Sequence, residues 1–224
     1  MPPNLRLSLT IFSVGFAVEG TLDAYHAVSG SSRLLSGGLL FLVATVATLL
    51  GLLFLWVGRF EWSELHQRHA RRIRGSFVVT LALAAAAAVP VAYFLAGRGG
   101  TPPSWLDRGT AATVAGTLFF SFLTYALVPY HLVAGVGKAT LWAAVLASVP
   151  VAVLVGQSVT QNFGSTLQNV PVGAMSAAGF VDPLLRLLSW LFVSYFLLLL
   201  AFLDAHRRVV RGLVPAGVLA PSVA

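Results

Sequence analysis

The sequence predicts an all-α membrane protein, a polytopic bundle of six membrane-spanning helices with both termini in the cytoplasm. Of its 224 residues, 58% are hydrophobic and only 9% are charged, whereas a soluble domain carries roughly 25% charged residues. The mean hydropathy is +0.87. Six apolar segments are long enough to cross a hydrocarbon core, which takes about 20 helical residues. An ordinary soluble domain is excluded, and so is chemistry that needs cysteine, because the chain has none.

The predicted spans are helices because backbone groups inside lipid must be hydrogen-bonded within their own segment. The first span is the most polar, and Glu19 interrupts it where a signal-peptide cleavage site would lie, so we predict a true span. The last span begins after Asp182 and Pro183, a good N-cap followed by a residue preset for the first turn. One membrane domain, 1–212, precedes a short apolar tail, 213–224. The predicted spans are 7–27, 34–57, 77–96, 110–136, 139–159 and 183–203.

The basic residues set the predicted orientation. Ten of the fourteen lie on the side that carries both termini, and four lie on the other. Loops rich in Arg and Lys stay in the cytoplasm, so both termini are predicted to be cytoplasmic and the membrane to be the plasma membrane. This asymmetry also accounts for the net charge of +7 without nucleic acid as a partner.

Two local similarities raise the hypothesis that the six spans are three repeated helical hairpins. The third and fifth predicted spans share a Val-Pro-Val-Ala sequence, at 89–92 and 149–152. In the second, fourth and sixth spans, a phenylalanine-rich stretch is followed by a histidine. These histidines are His66, His131 and His206. A lone histidine such as His131, near a helix C-terminus, is expected to be favoured by the helix dipole when charged.

The first span carries the most conspicuous candidate site. Glu19, Asp23 and His26 are spaced by four and three residues, which places them on one face of a helix. Ionisable residues inside a membrane are expensive and suggest function by default. Because two carboxylates one turn apart repel, one of them is predicted to hold a proton or a cation. The candidate roles are a proton relay, binding of a cation or polar solute, or a divalent metal site. The structural alternative is a face that points into the bundle or at the headgroups and pairs with Arg33 or Arg186.

Two other segments are candidate contact surfaces. The longest basic loop is predicted to be helical and to lie on anionic headgroups or a partner protein, with His69 among the side chains on the membrane surface. Its arginines are Arg59, Arg68, Arg71, Arg72 and Arg74. The uncharged loop 157–180 is a candidate outer lid for a polar solute. Its amides are Gln157, Gln161, Asn162, Gln168 and Asn169.

Three functions fit these features. The first is a small-solute or ion transporter, or a membrane-embedded substrate-binding subunit. In length and span count the chain resembles the binding subunits of vitamin uptake systems, although it lacks the alanine motif of their first span. The second is an accessory subunit of a larger membrane complex or a homo-oligomer, because small residues recur four apart within the spans. The third, a membrane enzyme that uses Glu19, Asp23 and His26, has no accompanying nucleophile. No cofactor is expected beyond a bound cation or metal.

Overall fold

The computed structural model describes residues 3–30, 64–95, 104–169 and 184–214, together with positions 46, 50 and 53. All regular secondary structure in these ranges is helical, as predicted. A short helical stretch, 184–189, precedes the last long helix. The long helices are α1 (Pro3–Ser29), α2 (Glu64–Leu95), α3 (Ser104–Leu127), α4 (Val136–Asn169) and α5 (Phe192–Val210).

Four helical segments in the described ranges are long and apolar enough to cross a bilayer, which supports a membrane protein. They match the first, fourth, fifth and sixth predicted spans. The third predicted span falls on the second half of α2, which is not among the four, and the second lies outside the described residues except at three positions. Six spans therefore stay a prediction. The four segments are Asn4–Ser29, Arg108–Leu127, Val136–Thr160 and Leu184–Val210.

Neighbouring helices pack in the order α1, α5, α4, α3, α2, and each pair is antiparallel. In the first pair, Phe12 contacts Phe202, while Gly20, two turns further along α1, lies against Phe196. Contacts in the other three pairs are Gly137 with Asp204, Gly156 with Ala111, and Ser76 with Thr124. Helices α1, α2 and α4 therefore run one way and α3 and α5 the other.

This arrangement gives the bundle two chemically different ends. The basic end holds the starts of α1, α2 and α4, the turn 128–135 and the end of α5. The opposite end, which we call the acidic end after Glu19 and Asp23, holds the last turns of α1 and also the exposed Arg108 and Arg186. Helix α1 finishes at the acidic end with Ser29, and α2 starts at the basic end with Glu64.

Two predicted span boundaries are wrong, the end of the fourth span and the end of the sixth. Helix α3 ends at Leu127 rather than near 136, because Pro129 has no backbone N–H to continue it. Tight turns follow, and the positive φ of Gly135 (48°) suits glycine. The fifth apolar segment ends at Thr160, as predicted, but helix α4 continues to Asn169 and makes the first half of the predicted loop 157–180 helical. The last apolar segment runs to Val210 rather than 203.

The repeat hypothesis and the tail are only partly covered by the described residues. Pro150 lies inside α4, whereas the matching side chain at 90 and the phenylalanine of the second span lie outside the described part. The three hairpins therefore stay a prediction. Of the tail, only 213 and 214 are described, and Val214 packs against the core.

A hydrogen bond between side chains joins α2 to α3. Thr124 Oγ1 donates to Ser76 Oγ at 2.8 Å and lies 2.7 Å from the Phe120 carbonyl. Both hydroxyls are buried. Hydrogen bonds between helices in membrane proteins contribute about 0.6 kcal/mol on average and up to about 1.7.

We expect Thr124→Val to lower the free energy of unfolding by about 1 kcal/mol, because it removes the bond and leaves Ser76 one partner short. The measurement is a denaturation titration of the full chain in mixed micelles. Thr117→Val is the matched control. Among the described residues, the Thr117 hydroxyl donates only to the Thr113 carbonyl, which belongs to the same helix. Equal losses for the two variants would contradict a role of the bond in joining the helices.

Candidate functional site

The polar face of α1, which consists of Glu19, Asp23 and His26, lies inside the bundle. The three residues are 4%, 1% and 2% exposed. The opposite side of the same turns is exposed at Thr21 and Tyr25. The face therefore points at neighbouring helices rather than at headgroups, a choice that the sequence left open. Of the two arginines considered as partners, Arg186 is exposed and Arg33 lies outside the described residues.

Helix α5 packs along this part of α1. A Cβ at Gly20 would lie 3.2 Å from the ring of Phe196, so the two helices approach closely. In this antiparallel register Ser194 lies at the depth of Glu19 and Asp23. Ser194 is fully buried, and its hydroxyl has no hydrogen-bond partner within the part of the chain that the structure describes. Two carboxylates and a hydroxyl are therefore buried at a similar depth, and the His26 imidazole is buried one turn further toward the acidic end; we call this region the polar layer.

An aromatic cluster separates this layer from the basic end. The ring of Phe16, one turn before Glu19, lies 5.3 Å from that of Tyr125 and 5.1 Å from that of Phe202. The ring of Phe12, a further turn on, lies 5.0 Å from that of Phe202. Phe12, Phe16 and Phe202 are fully buried. The polar layer is therefore closed toward the basic end by packed aromatic rings.

Comparisons with known proteins leave the function to be argued from this geometry. Scans of protein-family models, curated proteins and solved structures find no match to this chain. Among the described residues, no group of three or more His, Asp or Glu side chains has a geometry that could hold a metal ion.

A second cluster of titratable groups lies at the basic end, where α2 meets the turn after α3. The rings of His69 and His131 have centroids 4.3 Å apart. The Nε2 atom of His69 lies 2.6 Å from the Leu127 carbonyl, and because a carbonyl only accepts, Nε2 carries the proton. Nearby, the Lys138 ammonium sits 5.0 Å above the ring of Tyr130.

Both histidines are held in the neutral form. Burial lowers the pKa of His131 to about 3, and electrostatic repulsion by His69, when it is protonated, and by Lys138 adds to the shift. The pKa of His69 is also lowered, mainly by burial and to a lesser degree by Arg72, although its bond to Leu127 opposes the shift. The expected gain from a charged His131 at a helix end is therefore not realised at neutral pH. The helix dipole is outweighed because the ring is desolvated among like charges.

The expectation that His69 lies on the membrane surface is also wrong. His69, Ile73 and Ser76 are spaced four and three residues apart, and they form the side of α2 that packs on α3. This helical spacing marks the packed side of α2 in the sequence. The arginines of the same segment suggest a surface helix instead, and for that reason the packed side was not predicted.

The remaining predicted site residues fall on two helices. The amides expected in a loop lie on α4, which is helical from Gln157 to Asn169. Gln157 is exposed, and the side chains at 161–169 lie outside the described part, so the lid stays a prediction. On α2, Arg68, Arg71, Arg72 and Arg74 are all exposed. Arg59 lies outside the described residues.

Proposed function

We propose that this membrane protein transports a proton or a small cation through the polar face of α1. The observation that carries the proposal is the burial of Glu19, Asp23 and His26 to at most 4% exposure in a helix apolar enough to span a bilayer. Buried intramembrane carboxylates and histidines mark ion and proton pathways. The excess of basic residues on one side supports placing the basic end in the cytoplasm of a plasma membrane.

The chemistry of the layer suits a small cation. Burying two negative charges one helical turn apart is costly in a low dielectric, and a proton or a metal cation shared by Glu19 and Asp23 removes that cost. His26, one turn further toward the acidic end, can exchange a proton with Asp23. The Ser194 hydroxyl adds a neutral oxygen, the kind of ligand that alkali and alkaline-earth cations accept.

The aromatic cluster gives the proposed pathway a closed side. A cation that enters from the acidic end reaches Glu19 and then meets the packed rings of Phe16, Tyr125 and Phe202. Passage to the basic end therefore requires these rings to separate, as in transport by alternating access around a fixed site. The proposed cycle therefore includes a conformation that these rings close on this side.

The test is ion flux into proteoliposomes. We expect the full chain to accelerate proton, Na⁺ or K⁺ entry, followed with trapped fluorescent indicators under an imposed diffusion potential. Asp23→Asn and Glu19→Gln should reduce the initial rate at least tenfold, because each removes a charge that stabilises the cation. Asp204→Asn is the matched control, since Asp204 lies at the basic end, 4.0 Å from Arg208, and this variant should retain more than half of the rate.

Flux equal to that of empty liposomes for all three cations would contradict the proposal, and so would full flux in Asp23→Asn. Circular dichroism and a monodisperse elution profile confirm that each variant is folded. Near-stoichiometric co-purification of other polypeptides, without flux, would favour the accessory-subunit hypothesis instead. A metal retained through purification and lost in His26→Ala would favour the enzyme hypothesis.

A further inference from the structure

The start of α2 presents a compact basic surface. Arg68, Arg71 and Arg72 are exposed, and their spacing of three and one residues places them on one face of the helix. We call these three residues the arginine face. The other side of the same turns packs on α3 through His69 and the buried Ile73.

The contacts on the packed side fix this face relative to the bundle. His69 lies between Arg68 and Arg71 in sequence. Its Nε2 atom is 2.6 Å from the Leu127 carbonyl oxygen, to which it donates a hydrogen bond. One turn further along, Ser76 accepts the hydrogen bond from Thr124. The backbone that carries the arginine face is therefore anchored at His69 and again at Ser76, so a ligand does not have to order it, which favours binding.

The arginine face continues along the helix into an apolar face. Val78 and Val79 follow Arg71 and Arg72 by seven residues, two helical turns, so they lie on the same side of α2. Val78, Val79 and Leu81 are all exposed within the described part of the chain. A basic stripe that gives way to an apolar stripe along one helix face matches the passage from headgroups into hydrocarbon.

The charges around the arginine face also favour the binding of an anion. The basic end carries Lys138 and the exposed Arg207 and Arg211. The acidic residues described at this end are Glu64, which begins α2, and Asp204, which lies 4.0 Å from Arg208 and offsets its charge, so that basic residues remain in excess. An anion that approaches the start of α2 therefore meets a positive field from more than one helix.

We propose that the arginine face binds the headgroup phosphate of an anionic phospholipid, whose acyl chains lie along Val78, Val79 and Leu81. Guanidinium groups match phosphate oxygens through paired hydrogen bonds. The adjoining apolar stripe favours a lipid over free phosphate, because only a lipid covers both parts of the stripe. This site is separate from the polar face of α1 and does not depend on the proposed transport.

The experiment measures lipid retention by native mass spectrometry of the full chain released from neutral-detergent micelles doped with phosphatidylglycerol or phosphatidylcholine. The wild type should retain phosphatidylglycerol selectively. Arg68→Gln/Arg71→Gln should lower that retention at least tenfold. Arg72 is left in place because it contributes to the environment of His69. Lysine at both positions should restore most of the retention, since the charges remain.

The matched control is Arg108→Gln/Arg186→Gln, which removes two exposed arginines from the opposite end and should retain phosphatidylglycerol like the wild type. Equal loss in both double variants would overturn the proposal, because net charge alone would then explain retention. Displacement of the lipid by millimolar inorganic phosphate would overturn the choice of a lipid ligand. Unchanged thermal unfolding in phosphatidylcholine confirms that each variant is folded.

Discussion

Gly156→Ala is expected to lower the free energy of unfolding by about 1 to 3 kcal/mol, the usual cost of forcing extra atoms into a packed interior. A Cβ at Gly156 would lie 2.5 Å from the carbonyl oxygen of Ala111. The obstacle is backbone, which has no other rotamer to adopt. Helices α3 and α4 would have to move apart along a large interface. The measurement is equilibrium unfolding in mixed micelles.

Gly109→Ala is the control for this prediction. Gly109 lies on α3, two residues from Ala111, and a Cβ there would have no neighbour among the described residues within 4 Å. Alanine is also the better helix former, so this change should be neutral or slightly stabilising. A loss of similar size in Gly109→Ala would mean that the α3–α4 contact is not the cause.

Acidification is expected to destabilise the protein through His131. Its pKa is about 3 in the folded state and roughly 6.5 in an unfolded chain. The unfolded state therefore binds a proton as the pH falls below about 6.5, while the folded state does not until about 3. Stability is full above the unfolded value and is lost between the two, by up to about 2 kcal/mol at pH 5.

The test compares the wild type with His131→Gln in unfolding titrations between pH 8 and pH 5. The wild type should be flat from pH 8 to 7 and then decline. The variant should decline less, because the proton uptake by residue 131 is gone. It should not become fully flat, since the pKa of His69 is lowered as well. Identical slopes for the two proteins would contradict the neutral, buried state of His131.

Prediction from the sequence succeeds where all the residues that determine a feature lie on one helix. The spacing of Glu19, Asp23 and His26 gave their shared face directly. Whether that face is buried depends on α5, which lies more than 160 residues away in sequence, so periodicity alone could not decide it. The histidine pair was missed for the same reason, because His69 and His131 meet only once α2 and α3 pack antiparallel.

The helix ends predicted from hydropathy are wrong in two places. In one a proline ends the helix inside an apolar stretch, and in the other the helix continues into a polar stretch. The apolar stretch from 110 to 136 suggested one span, yet Pro129 ends the helix inside it. Conversely, the amides from Gln157 onward suggested a loop, yet they continue α4 to Asn169. Amide side chains are compatible with a helix, and hydropathy reports where lipid ends rather than where the helix does.

The pairing of α1 with α5 has a consequence for how the protein is made. The helix that carries Glu19 and Asp23 leaves the ribosome well before the helix that packs along it. At roughly 5 to 20 residues per second, synthesis of the intervening chain takes on the order of 10 to 40 seconds. During that interval the acidic first helix lacks the contacts of α5. Synthesis of α5, rather than insertion of the first span, is therefore the step that buries these carboxylates against α5.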